Sequence, residues 1–164
     1  MALTPSSIDG FYNAGISLIA SATAIACYVA NGILPAANMT VSGPATLTAN
    51  FLPSIATNAS SQVQVTRSGL IFNRTTGRFQ QTVRLRNYGP TLTNVKLVIE
   101  NLPPGWAWTN FDGLTQCAAP VGSRYKAATA TLAPGGQVDI PVTFQPAAGG
   151  LNYSTRVLAG AGQP

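Results

Sequence analysis

The chain has 164 residues, 46% of them apolar and only 8% charged, with nine Lys and Arg against four Asp and Glu, a net charge of +5 and no His. That length holds one medium domain or two small ones, and an apolar share this high with so little charge argues against disorder throughout. With no imidazole, a Ser–His–Asp triad or a Cys–His nucleophile has no material, and the usual zinc ligand sets lose one of their two main donors.

Residues 1–10 read as a tail. The segment 11–52 reads as a small β unit. A corner at Tyr12–Gly15 is followed by an alternation of Ile16, Leu18 and Ala20, a turn at Asn31-Gly32, and short strands around Met39–Val41 and Ala45–Phe51. The uncharged run 14–37 is long enough to span a bilayer. Its Ser17, Ser21, Thr23, Asn31, Gly15, Gly32 and Pro35 weaken that reading, and no basic n-region of a signal peptide precedes it. A membrane or helical segment is therefore the less favoured alternative. Residues 53–61, mostly small and polar with three Ser and two Ala, read as a linker.

From Gln62 the pattern is that of strands. Val63 and Val65 alternate with polar residues, a turn falls at Asn73–Gly77, and Phe79, Gln81, Val83 and Leu85 alternate with Gln80, Thr82, Arg84 and Arg86. Val95, Leu97 and Ile99 mark a third strand, the Asn101–Gly105 segment breaks it, and Trp106–Trp108 resumes extended chain. Leu114–Tyr125 reads as a loop, Ala127–Leu132 as a strand, and Val138, Ile140, Val142 and Phe144 as the core face of the next. Pro141 lacks an N–H, which puts that strand at an edge or a bulge. Tyr153, Thr155 and Val157 share one face of the last strand. About seven short strands separated by turns predict a β-sandwich over residues 62–160.

Two resemblances follow from these residues. The phrases YNAGISLIASA and MTVSGPATLTANF resemble the short β-repeat of bacterial surface and secreted proteins, which opens with YNAGT-S-V-x-LTATP and closes with V-x-GP-x-x-x-TANF. The repeat's aromatic–Gly–Trp segment is replaced here by Ala-Ile-Ala-Cys-Tyr-Val. The phrases VTRSGLIFNRTTGRFQQTVRLRNYG, IENLPPGWAWTN and LAPGGQVDIPVTF resemble the bacterial immunoglobulin-like module repeated in surface proteins. The expected fold is thus all-β, an immunoglobulin-like sandwich preceded by a divergent small β-repeat. The resemblance implies an extracellular or cell-surface location and a non-catalytic structural or spacer role, with neighbouring modules or other copies of the chain as partners.

Candidate chemistry is sparse. The acids Asp9, Glu100, Asp112 and Asp139 form no close pair in sequence, so a two-carboxylate glycosidase is not indicated. No phosphate-cradling glycine loop or acidic calcium loop is present. The sequence therefore predicts no enzyme, no cofactor and no metal. Arg78, Arg84 and Arg86 share a strand face, with Lys96 expected beside them. That face otherwise carries Gln and Thr and no aromatic platform, so a solvated face that resists edge pairing is favoured over nucleic-acid binding. Trp106 and Trp108, two apart on a strand, either cover the core or stack on a polysaccharide. Cys27 and Cys117 either pair as a disulfide or are each a small buried hydrophobe. The low charge and the half-formed first unit leave a self-assembling filament subunit as a further alternative, completing its sheet with a neighbour's strand.

Overall fold

The computed structural model describes residues 2–4, 17–21, 25–30, 36–40 and 51–164, and the chain divides into two compact units, Met1–Ser54 and Ile55–Pro164. In the first unit, β1 (Ala2–Thr4), β2 (Ser17–Ser21) and β4 (Ala36–Thr40) form an antiparallel sheet in the order β1-β2-β4. β3 (Tyr28–Ala30) pairs with β5 (Phe51–Pro53) as a separate ribbon. The expected tail thus supplies a strand, because Ala2–Thr4 has a free edge of β2 to pair with. Among the described residues no helix is long and apolar enough to cross a membrane, and parts of 14–37 are strand. The turns expected at Tyr12–Gly15 and Asn31-Gly32, and the strand expected over Ala45–Asn50, lie outside the described residues.

The second unit is a sandwich of two antiparallel sheets. It opens with β6 (Thr57–Asn58), a short 3₁₀ turn at Ser60–Gln62, β7 (Val63–Arg67), β8 (Ile71–Asn73), β9 (Arg78–Asn87) and β10 (Leu92–Glu100). β11 (Ala107–Trp108), β12 (Gly113–Leu114), β13 (Arg124–Leu132), β14 (Gln137–Gln145) and β15 (Ser154–Ala159) complete it. One sheet has the order β12-β13-β10-β15-β6, the other β11-β14-β9-β7, with β8 also on β9. The unit begins at Ile55, inside the expected linker 53–61, whose residues 55–61 belong to it. Ala56 and Ala59 are small enough to be buried against β15, and Thr57–Asn58 pairs with that strand.

The alternation that predicts the strands is the one that fills the core. Val83 and Leu85 of β9 meet Ile140, Val142 and Phe144 of β14 within one sheet, facing Val95, Leu97 and Ile99 of β10 and Val157 of β15. Leu85, Leu97 and Phe144 are fully excluded from water, and each such side chain is worth roughly 1.5–3 kcal/mol of burial. β14 pairs with β9 on one side and, through Phe144 and Gln145 only, with the two-residue β11 on the other. Pro141 therefore sits where its missing N–H breaks no ladder.

One departure from simple alternation shapes the rest. Val98, between Leu97 and Ile99, is also fully buried. With Leu158 of β15 it forms a second small core on the outer face of its sheet, covered by Ala56, Ala118 and Tyr125. β10 is therefore buried on both faces, as a central strand capped by a loop must be. The covering loop 115–123 is internally tied. Thr115 donates its hydroxyl to the Pro120 carbonyl at 2.8 Å and accepts from the Ser123 N–H at 3.0 Å, while Gly122 N–H donates to the Thr115 carbonyl. The Gln116 and Cys117 N–H groups both donate to the Pro164 carbonyl at 2.8 Å.

Candidate functional site

The basic stripe on β9 is where the sequence places it. Arg78, Arg84 and Arg86 are exposed on one face of the strand. Arg84 donates twice to the Asp139 carboxylate, at 2.6 and 2.7 Å. This partner holds Asp139 below the usual carboxylate range and Arg84 above its ordinary value. Arg78 reaches Thr109 Oγ1 at 3.3 Å, and the Arg86 guanidinium lies 5.1 Å from the Tyr88 ring centre. Lys96 is not beside them. It belongs to β10 in the other sheet, where its Nζ contacts the Asn94 carbonyl at 3.4 Å. A two-residue spacing fixes a face only within one strand, and Lys96 is on a strand of the opposite layer. The cations thus form no single concentrated patch.

Trp106 and Trp108 both belong to the main core, at 7% and 1% exposure. Stacking on a sugar ring needs an open ring face, which this burial does not offer, so of the two readings the core one describes their place. Trp106 packs on Phe79, and Phe79 on Phe72, a chain of rings with centroids 5.5 and 5.0 Å apart that ends at the surface. Trp108 Nε1 donates to Asn110 Oδ1 at 2.7 Å. The same Asn110 oxygen accepts the Thr143 N–H at 2.8 Å, and the Asn110 amide nitrogen donates to the Pro141 carbonyl at 2.9 Å. A side-chain amide thus takes the place of a neighbouring strand along the outer edge of β14.

Each of the three acids among the described residues bridges two parts of the fold. Asp139 ties β14 to β9. Asp112 accepts from Lys126 Nζ at 3.0 Å and from the Ala127 N–H at 2.8 Å, fixing the β11–β12 connection to β13. Burial pushes Asp112 upward, but the Ala127 N–H and Lys126 outweigh it and leave the carboxyl below its ordinary value. Glu100 Oε1 receives Arg156 Nη2 at 2.8 Å, Arg156 Nε at 3.1 Å and the Ser123 hydroxyl at 3.2 Å. Arg156 also donates Nη1 to the Ala119 carbonyl at 2.6 Å. This pair is the most enclosed of the three, with side chains 11% and 19% exposed, and it clamps loop 115–123 onto the sheet. Asp9 lies outside the described residues.

No protein-family model, curated protein or solved structure matches the chain.

Neither cysteine is a free thiol. Cys27 lies at the turn before β3 with a left-handed backbone (φ 71°), and Cys117 lies in loop 115–123. Among the described residues no group of three or more His, Cys, Asp or Glu could hold a metal ion. Tyr153, buried in the core, donates to Gln81 Oε1 at 2.5 Å beneath the Arg67 guanidinium, 3.9 Å from the ring centre. Burial raises its phenol above the ordinary value, and Arg67 opposes the rise.

One buried residue, Asn87, was not singled out by the alternation. It is fully enclosed at the end of β9, donating Nδ2 to the carbonyls of Pro90 (2.8 Å) and Leu132 (3.0 Å) and accepting the Gly89 N–H (2.9 Å). The available signal was an amide at a position where the pattern calls for an apolar residue, directly before a Tyr-Gly-Pro turn.

Proposed function

We propose that the chain is a non-catalytic extracellular structural or spacer module of a bacterial surface or secreted protein, its second unit an immunoglobulin-like sandwich. The observation that carries this reading is the employment of the carboxylates. Asp112, Asp139 and Glu100 each hold an ion pair that joins separate elements, which is the use a structural scaffold makes of its few charges. The uncharged Thr, Ser and Asn surface suits the same role. The test is surface proteolysis of intact producing cells followed by mass spectrometry. Peptides from 62–160 released before lysis are the expected result, and peptides found only after lysis would overturn the location.

A second reading, a self-assembling filament subunit, is favoured by one feature. β8 is an edge strand on which Ile71 and Phe72 are exposed, next to an exposed Leu70, and apolar edges that stay open invite strand pairing. Light scattering and electron microscopy at high protein concentration separate the two readings. Monomers alone would remove the filament.

A further inference from the structure

The end of the sandwich where β10 runs out holds a cavity of about 560 Å³ between the Asn101–Gly105 turn and the Pro120–Arg124 segment. Small-ligand sites are of this order, roughly 300–1,000 Å³. Two of the side chains that line it carry buried donors with no acceptor in the protein, Trp106 Nε1 and Arg124 Nε. Trp106 is more than nine-tenths buried. The contrast with Trp108 is direct, since that indole N–H has its acceptor at 2.7 Å. Buried donors are normally paired, and one left unmade is costly, so two on residues that line one cavity mark a place for an incoming acceptor. The charge balance agrees. Glu100, which also lines the cavity, is neutralised by Arg156, whereas the Arg124 guanidinium, 5.1 Å from the Phe111 ring centre, has no carboxylate partner among the described residues. An adjoining hollow of about 350 Å³ shares Asn101 and Pro103 and adds Asn152 and Ser154. Asn101 Nδ2 already donates to Ser154 Oγ at 2.8 Å, so the Asn101 amide oxygen and the Asn152 amide are the groups that face sugar hydroxyls.

We propose that this cleft binds a saccharide bearing a uronic acid, with the carboxylate on Arg124 and the Trp106 N–H and the hydroxyls toward Asn101 and Asn152. The indole serves through its N–H edge, not its face. Both nitrogens are closed to solvent, so binding requires the cleft lining to shift and open them to the ligand. This site is separate from the scaffold role and does not depend on it.

The test is an NMR titration of the whole chain with trigalacturonate, maltotriose and succinate as separate probes. Trigalacturonate is expected to shift the Trp106 indole N–H resonance and leave that of Trp108 in place. Arg124→Gln is expected to weaken binding by about tenfold or more, the loss typical of a hydrogen bond to a charged group. Trp106→Phe keeps an aromatic ring in the core and removes only the donor edge, and it weakens binding several-fold. An unshifted Trp106 resonance at millimolar trigalacturonate would overturn the site. So would an Arg124→Gln chain that keeps its Trp108 resonance and binds as tightly as wild type. Maltotriose binding equally well would overturn the role of the carboxylate, and succinate binding equally well would overturn that of the sugar.

Discussion

Replacing Asn87 by Leu removes the amide that joins two turns while keeping the same number and branching of side-chain heavy atoms. Three backbone groups lose their partner: the Leu132 carbonyl, whose bond is buried, and the Pro90 carbonyl and Gly89 N–H, whose bonds are part-buried. An unpaired buried polar group costs about 1–3 kcal/mol. Taking the buried carbonyl near the middle of that range and the other two near its lower end gives a loss of about 4 kcal/mol. The greater apolar burial of leucine offsets about 1 kcal/mol. The net, about 3 kcal/mol, is a large share of the roughly 5–15 kcal/mol that holds a typical domain together. Both tryptophans of the chain lie in the sandwich core, so their fluorescence in a urea titration reports that unit. With a slope of about 1.5 kcal/mol per molar urea, the midpoint should fall by about 2 M with the slope unchanged. The exposed control Gln80→Ala should stay within about 0.5 kcal/mol of wild type. A midpoint for Asn87→Leu that matches the control would refute the claim that this amide closes the sandwich.

Gly162→Ala places a methyl 2.2 Å from the Ile55 carbonyl carbon and 2.6 Å from the Ala56 nitrogen. The Ile55–Gln163 bridge must then part, and thermal unfolding should show a loss of about 1–3 kcal/mol, the usual range for overpacking. Glu100→Gln leaves Arg156 without its countercharge under loop 115–123. Amide exchange at Gly122 and Thr115 should quicken while the β9 and β14 amides hold, and uniform protection would count against the clamp. Asp112 and Asp139 have folded-state values below their unfolded ones, so their stabilisation is present above about pH 3.9 and is lost as pH falls through the lower folded values. Lys126→Met should therefore flatten the acid limb of a pH–stability curve, and an unchanged limb would contradict the sign. Since neither cysteine is free, iodoacetamide under denaturing conditions should add nothing without reductant and two labels after reduction, and labelling without reductant would disprove it.

The main sheet faces were legible because their side chains obey one rule. Along β9, β14 and the inner face of β10, period-two burial follows the apolar residues almost without exception. The rule failed where a strand is covered on both sides. Val98 and Leu158 lie on what alternation assigns to the solvent face, and nothing local signals that loop 115–123 folds over them. The division between the two units falls within the expected linker 53–61, but residues 55–61 are more closely attached than composition suggests. Ala, Ser and Asn suggest an unattached segment, yet small size is what allows Ala56 and Ala59 to approach β15 closely. Composition reports the absence of bulky residues and cannot distinguish a segment with no contacts from one in close contact.

Charge was the signal most open to misreading. Nine cations against four acids suggest a basic binding surface, but pairing across strands is set by register, which no sequence window contains. The register that places Asp139 opposite Arg84 gives the centre of the β9 stripe a carboxylate partner within the sheet. The register that aligns Ile99 with Arg124 does the reverse, turning a single arginine toward the sandwich end beside Trp106. Arg124 falls within Leu114–Tyr125, a stretch whose composition predicts a loop, and no strand pattern marks it in the sequence. It is nevertheless the cation whose buried nitrogen has no protein acceptor, and the proposed carboxylate site is there, not on the exposed stripe, because a charge-assisted hydrogen bond strengthens as water is excluded.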